Sequence, residues 1–113
     1  MTDTLATRRV GGVWVVRAGG AVIAETRSAI ELEEPGQPPV VYFPRDDVAM
    51  AFLDAGSETT AHRGKGDATL FSVATKSTTI SDAAWSYEDP VESLAALKDY
   101  IGFDTEQVTV ERL

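Results

Sequence analysis

Cysteine is absent and histidine occurs once, at His62. Without thiols the chain has no disulfide framework, no thiolate zinc site and no thiol nucleophile. A lone imidazole leaves only carboxylates to finish a tetrahedral zinc site, so no metal centre is expected. No apolar run approaches the ~18 to 20 residues that a membrane-spanning helix requires. The segment Met1 to Leu5 has neither a basic head nor an apolar stretch, so no secretory signal is expected. Cations are also scarce: ten Lys and Arg stand against eighteen Asp and Glu, a formal charge of −8. An acidic surface repels phosphate backbones, which argues against a nucleic-acid partner unless the cations gather on one face. Arg8, Arg9, Arg17, Arg27, Arg45, Arg63 and Lys65 all precede residue 66, which leaves room for such a patch. The plain expectation is a soluble acidic protein, and the lack of thiols fits a reducing cytoplasm.

What remains suffices for one domain spanning residues 1–113, because 43% hydrophobic and 25% charged residues are ordinary globular values. Residues 1–9 read as a loose polar arm. Val13 to Arg17 and Ala21 to Thr26 flank Ala18-Gly19-Gly20, a hairpin signal. Ala29 to Glu33 alternates apolar and acidic residues, and Val40 to Phe43 is a compact strand ended by Pro44. Asp46 to Leu53 places Val48, Ala49 and Phe52 at helical spacing, enough for two turns before Gly56. Thr69 to Thr75 and Thr78 to Trp85 form a second hairpin through Lys76-Ser77. Asp89-Pro90-Val91-Glu92 has the form of a capping box, predicting a helix from Pro90 to about Ile101 that ends at Gly102. Val108 and Val110 alternate with polar residues in a last strand. The expected fold is mainly β, α+β at the margin: an antiparallel roll or sandwich of about seven strands, one C-terminal helix and one short helix.

Three motifs concentrate aromatic, turn-forming and charged residues where strands should end, which is how a pocket rim is built on a sheet. They are Val40 to Asp47, His62 to Ala68, and Ala84 to Pro90. Arg45 with Asp47 can grip a carboxylate or phosphate, or Asp46 or Asp47 can cap the short helix while Arg45 pairs with a nearby acid. His62 has the pKa for acid–base work, yet also suits a plain loop. Gly64-Lys65-Gly66 suits either a phosphate-gripping turn or an ordinary β-turn whose glycines permit positive φ; the remaining residues of a Walker motif are missing. Trp85 and Tyr87 share one face of an extended strand, as pocket walls with Tyr42 or as core.

The order Pro-Pro-Val-Val-Tyr-Phe-Pro-Arg-Asp-Asp-Val, a Lys-Gly-Asp-Ala turn, then Ala-Trp-Ser-Tyr-Glu-Asp-Pro resembles the domain-of-unknown-function 427 family of small bacterial proteins, sometimes labelled nucleotidyltransferase-like. The likeness runs from about Val13 to Val110 and implies a compact, mainly β domain without an agreed activity. Members of that family often read Cys-Pro-Tyr-Lys-Gly where this chain has His62-Arg63-Gly64-Lys65-Gly66. A cysteine-dependent activity is therefore excluded here, while His62 can stand in as a polar or metal-binding group.

Together these residues suggest a small-ligand site. Arg45, oriented by Asp47, would bind an anionic group together with His62 and Lys65, and Tyr42, Trp85 and Tyr87 would enclose its apolar part. If the site is catalytic, His62 is the acid or base and Lys65 the electrostatic stabiliser. The alternative is a non-catalytic protein–protein interaction module using an exposed edge or aromatic rim. Ligand identity, any cofactor and homo-oligomer formation are left open by the sequence.

Overall fold

The computed structural model describes residues 5–62 and 65–113, with no side chain described for residues 57, 58, 61 and 62. Apolar residues alternating with polar ones build strands that need two covered faces, and the chain supplies both from its own length. The β2 (Trp14–Ala18) and β3 (Ala21–Thr26) hairpin turns at Gly19 and Gly20, whose φ values of 55° and 81° match the right-handed strand twist. β10 (Thr109–Arg112) adds to β2, completing a three-stranded sheet in the order β10-β2-β3.

The second sheet has seven strands in the order β1-β4-β5-β9-β8-β7-β6. Its members are β1 (Ala6–Arg9), β4 (Ile30–Glu33), β5 (Val40–Phe43), β6 (Leu53–His62), β7 (Gly66–Ala74), β8 (Thr79–Tyr87) and β9 (Ile101–Phe103). Every described pairing is antiparallel. One face is covered by the small sheet: Val16, Ala18, Ile23 and Ala24 pack with Phe43, Phe71, Val73, Ile101 and Phe103. The opposite face buries Ile30, Leu32, Tyr42, Ala68 and Tyr87 beneath Leu94 and Leu97. Adjacent residues Tyr42 and Phe43 thus serve opposite cores, as period-two alternation requires. The fold is mainly β, as expected.

Four local expectations differ. Residues 6–9 are not a loose arm but the edge strand β1, paired with β4. Leu53–His62 is a strand whose register with β7 breaks between Ala55 and Thr59; its polar sequence carries no period-two signal. The two turns expected over Asp46 to Leu53 split into the 3₁₀ turns Arg45–Asp47 and Met50–Phe52. The division occurs because Ala49 N–H donates to Ile23 O at 2.8 Å, and Val48 bridges Ala24.

The helix expected over Pro90 to Ile101 shrinks to a kinked 3₁₀ segment, Glu92–Leu97, with Leu94 outside helical geometry at φ −112°. Val91 N–H, which a cap at Asp89 would have taken, donates instead to Lys65 O at 3.0 Å. At the other end Ile101 joins β9 and is fully buried between β5 and β8. Sheet pairing and apolar burial at Ile101 outweigh the small gain from another helical turn.

Candidate functional site

β5 and β9 stay paired for only two residues, Tyr42↔Gly102 and Phe43↔Ile101. Where they part, a half-open cleft of about 730 Å³ is formed, with Val40 and Val41 on one lip and Phe103, Asp104 and Thr105 on the other. That volume lies within the usual range for small-molecule sites, roughly 300–1,000 Å³.

The base of the cleft follows from register. Tyr42, Gly102 and Trp85 occupy one row across β5, β9 and β8. The outer two strands of such a row stand roughly 10 Å apart, too far for ordinary side-by-side contact. Glycine in the middle removes the obstacle, and the two rings lean inward over it. Their centroids lie 6.2 Å apart at 84°, edge to face, and Trp85 Nε1 donates to Tyr42 Oη at 3.0 Å. A Cβ on Gly102 would come within 2.8 Å of Tyr42 Cε2 and 2.9 Å of Trp85 Cε2. Tyr87, two residues along β8, tilts against Tyr42 at 6.2 Å, and their hydroxyls are hydrogen-bonded.

Burial pushes both phenols above the ordinary tyrosine pKa. For Tyr42 the neighbouring Tyr87 adds to the effect, while the Trp85 hydrogen bond opposes it. For Tyr87 the hydrogen bond from Tyr42 and the nearby Lys65 charge oppose it. Both hydroxyls therefore stay protonated at neutral pH. Tyr42 and Tyr87 are almost sealed, whereas Trp85 is half-buried and presents ring surface to the cleft.

Lys65 stands at the cleft wall, 19% exposed, with Nζ 2.7 Å from Glu34 Oε1. Its position is set by the meeting of two motifs. Gly66 adopts φ +113°, and a Cβ there would lie 3.0 Å from Asp89 O. The Lys65 carbonyl meanwhile accepts from Val91 N–H. Glu34 begins the Glu34–Gln37 turn, closed by Gln37 N–H to Glu34 O at 3.0 Å.

Of the residues singled out from sequence, Tyr42, Lys65, Trp85 and Tyr87 come together at this cleft. Arg45 and Asp47 do not. Arg45 lies across the sheet, donating to Asp99 O and Ser86 Oγ, each at 3.0 Å, and to Glu88 at 3.4 Å. Its guanidinium also sits 5.7 Å from the centre of the Phe71 ring. Asp47 accepts from Thr26 Oγ1 at 2.7 Å, fastening the 3₁₀ turn to β3. The His62 side chain lies outside the described ones.

Sequence reasoning passed over Gly102, Trp14, Glu31, Glu34 and Asp104, four of which line the cleft while Gly102 supports its base. A signal for Gly102 was present, since a glycine between Ile101 and Phe103 marks a close approach within a buried strand. Among the described residues, no three His, Asp or Glu side chains are grouped to hold a metal ion. Nor is any helix among them long and apolar enough to cross a membrane.

A family model described as a domain of unknown function (DUF427), named NTP_transf_9, matches residues 6–113. The chain belongs to the DUF427 family. No curated protein matches it. The match extends from β1 to the last residue, so both sheets and the whole cleft fall within the DUF427 domain.

Proposed function

We propose that this DUF427 domain binds a small organic molecule in the cleft between β5 and β9. The observation that carries the reading is the Tyr42–Gly102–Trp85 row. A glycine placed so that two aromatic rings close over it, with the indole half-open to a 730 Å³ cleft, describes an aromatic floor for a ligand. The lining argues about ligand charge. Arg45 is occupied on the opposite face, and Lys65 is already paired with Glu34. A phosphate or carboxylate, including the nucleotides suggested by the family model's name, would compete with Glu34 for Lys65. It would also approach Glu31 and Asp104. The anionic ligand expected from sequence is thereby disfavoured on Coulombic grounds.

The competing reading, a docking module, would use the long edge strand β6. Its register break between Ala55 and Thr59 interrupts the flat edge that strand addition needs. Ligand binding therefore fits the observations better.

The test is a thermal-shift screen across amines, sugars, carboxylates and nucleotides, repeated on Trp85→Leu. A ligand at about 100 times its dissociation constant adds ~2.7 kcal/mol, roughly a 10 °C rise for a domain of this size. The expected result is a shift from at least one class that Trp85→Leu abolishes. A cooperative unfolding transition unmoved by every class would reject the reading.

A further inference from the structure

We infer that the ligand of this cleft is an organic cation, a protonated or alkylated ammonium, an inference that rests on the proposed binding site. Two independent features of the lining converge on it. Both tryptophans of the chain, Trp14 and Trp85, line this one cleft and both are half-buried, so each keeps part of its ring accessible. An indole face carries a negative quadrupole and attracts ammonium groups more strongly than any other side-chain ring.

The second feature is the charge left over after pairing. The ionisable side chains at the cleft, besides the tyrosines, are Glu31, Glu34, Asp104 and Lys65. Glu31 is held by Arg8 at 3.0 Å, and Glu34 by Lys65 at 2.7 Å. Asp104 has no cationic partner among the described residues. Its carboxylate accepts only Glu106 N–H at 3.0 Å and Gln107 Nε2 at 2.9 Å, neutral donors that fix its orientation and leave its charge in place. The lining thus combines two indoles with one carboxylate, Asp104, that has no cationic partner among the described residues. The same arrangement explains why Lys65 is tied back: the ion pair with Glu34 keeps the ammonium of the protein's own lysine at the wall.

The experiment is a titration of intrinsic tryptophan fluorescence with choline and, in parallel, with 3,3-dimethylbutan-1-ol, its uncharged isostere. Choline is expected to bind about tenfold or more tightly than the alcohol, since the two differ only in charge. Lys65→Met, which frees Glu34, should tighten choline binding by roughly threefold or more, and Asp104→Asn should weaken it by a similar factor. Added salt should weaken it as well. Equal affinity for choline and the alcohol would overturn the inference and leave the binding site standing. Weaker choline binding in Lys65→Met would overturn it too, because that sign belongs to an anion site. Tight binding of a carboxylate or nucleotide, with none of choline, would do the same. No fluorescence change with these probes, together with no thermal shift from any class, would remove the site itself.

Discussion

Trp85 Nε1 donates a hydrogen bond to Tyr42 Oη at 3.0 Å from two strands away, across the glycine of the strand between them. The contact exists because β9 is thin at Gly102. It joins the fold to the candidate site, since the rings that seal one core also form the floor of the cleft.

Replacing Gly102 with alanine should therefore disturb both. The added methyl would sit 2.8–3.0 Å from atoms of the two rings, which must rotate away or displace the strand. Overpacking of this kind costs about 1–3 kcal/mol, so the thermal midpoint should fall by roughly 4–15 °C. Calorimetry of Gly102→Ala checks this, and an unchanged midpoint would show that the rings do not depend on the gap.

Tyr42→Phe removes the acceptor for the Trp85 indole. Buried groups left unpaired cost about 1–3 kcal/mol, more than the loss of one oxygen from an exposed ring. Denaturant unfolding should show that loss, and the Trp85 emission should shift as its N–H turns towards water.

Arg45→Ala should separate fold from site. The side chain supports the opposite face, reaching the fully buried Ser86 and the Phe71 ring. Its loss should cost about 1–3 kcal/mol while ligand affinity at the cleft stays within twofold. An affinity collapse in a folded Arg45→Ala protein would place the guanidinium in the site after all.

Alkaline pH should destabilise the protein through the two buried phenols. Both have folded-state pKa values raised above the ordinary value near 10, chiefly by burial. Below about pH 10 both states hold the protons and this stability is fully present. As pH rises beyond that, the unfolded chain releases protons that the folded one keeps, so stability falls. Denaturant midpoints at pH 8, 10 and 11 should decline over the upper interval. Absorbance at 295 nm should show Tyr42 ionising only with unfolding, and Tyr87 ionising above the ordinary tyrosine range.

The strand content of the fold was legible because it rests on local signals. The Gly19-Gly20 hairpin, the Val40–Phe43 strand and the Lys76-Ser77 hairpin announce themselves through turn residues and β-branched runs. The helices were misread because their local signals were real but outcompeted. Ala49 gives its N–H to Ile23 and Val91 gives its N–H to Lys65, contacts whose partners lie far along the chain. Capping patterns cannot reveal such competition. At the site, the aromatic triad and Lys65 were visible as motif residues. Arg45 was separated from them by the parity of β8, where Ser86 points away from Trp85 and Tyr87. The glycine between Ile101 and Phe103 signalled a close approach, but which groups approach Gly102, and what Asp104 faces, depends on β9 lying between β5 and β8.

The cleft as ligand site is tested most directly by following the two tryptophan indole N–H signals in ¹⁵N–¹H spectra while amines, sugars, carboxylates and nucleotides are added in turn. Only Trp14 and Trp85 contribute, and both line the cleft. The account predicts a saturable movement of the Trp85 signal with at least one class, accompanied by backbone shifts at Gly102 and Asp104. Saturable binding that moves backbone signals elsewhere and leaves both indoles fixed would contradict it, as would a panel in which no signal saturates.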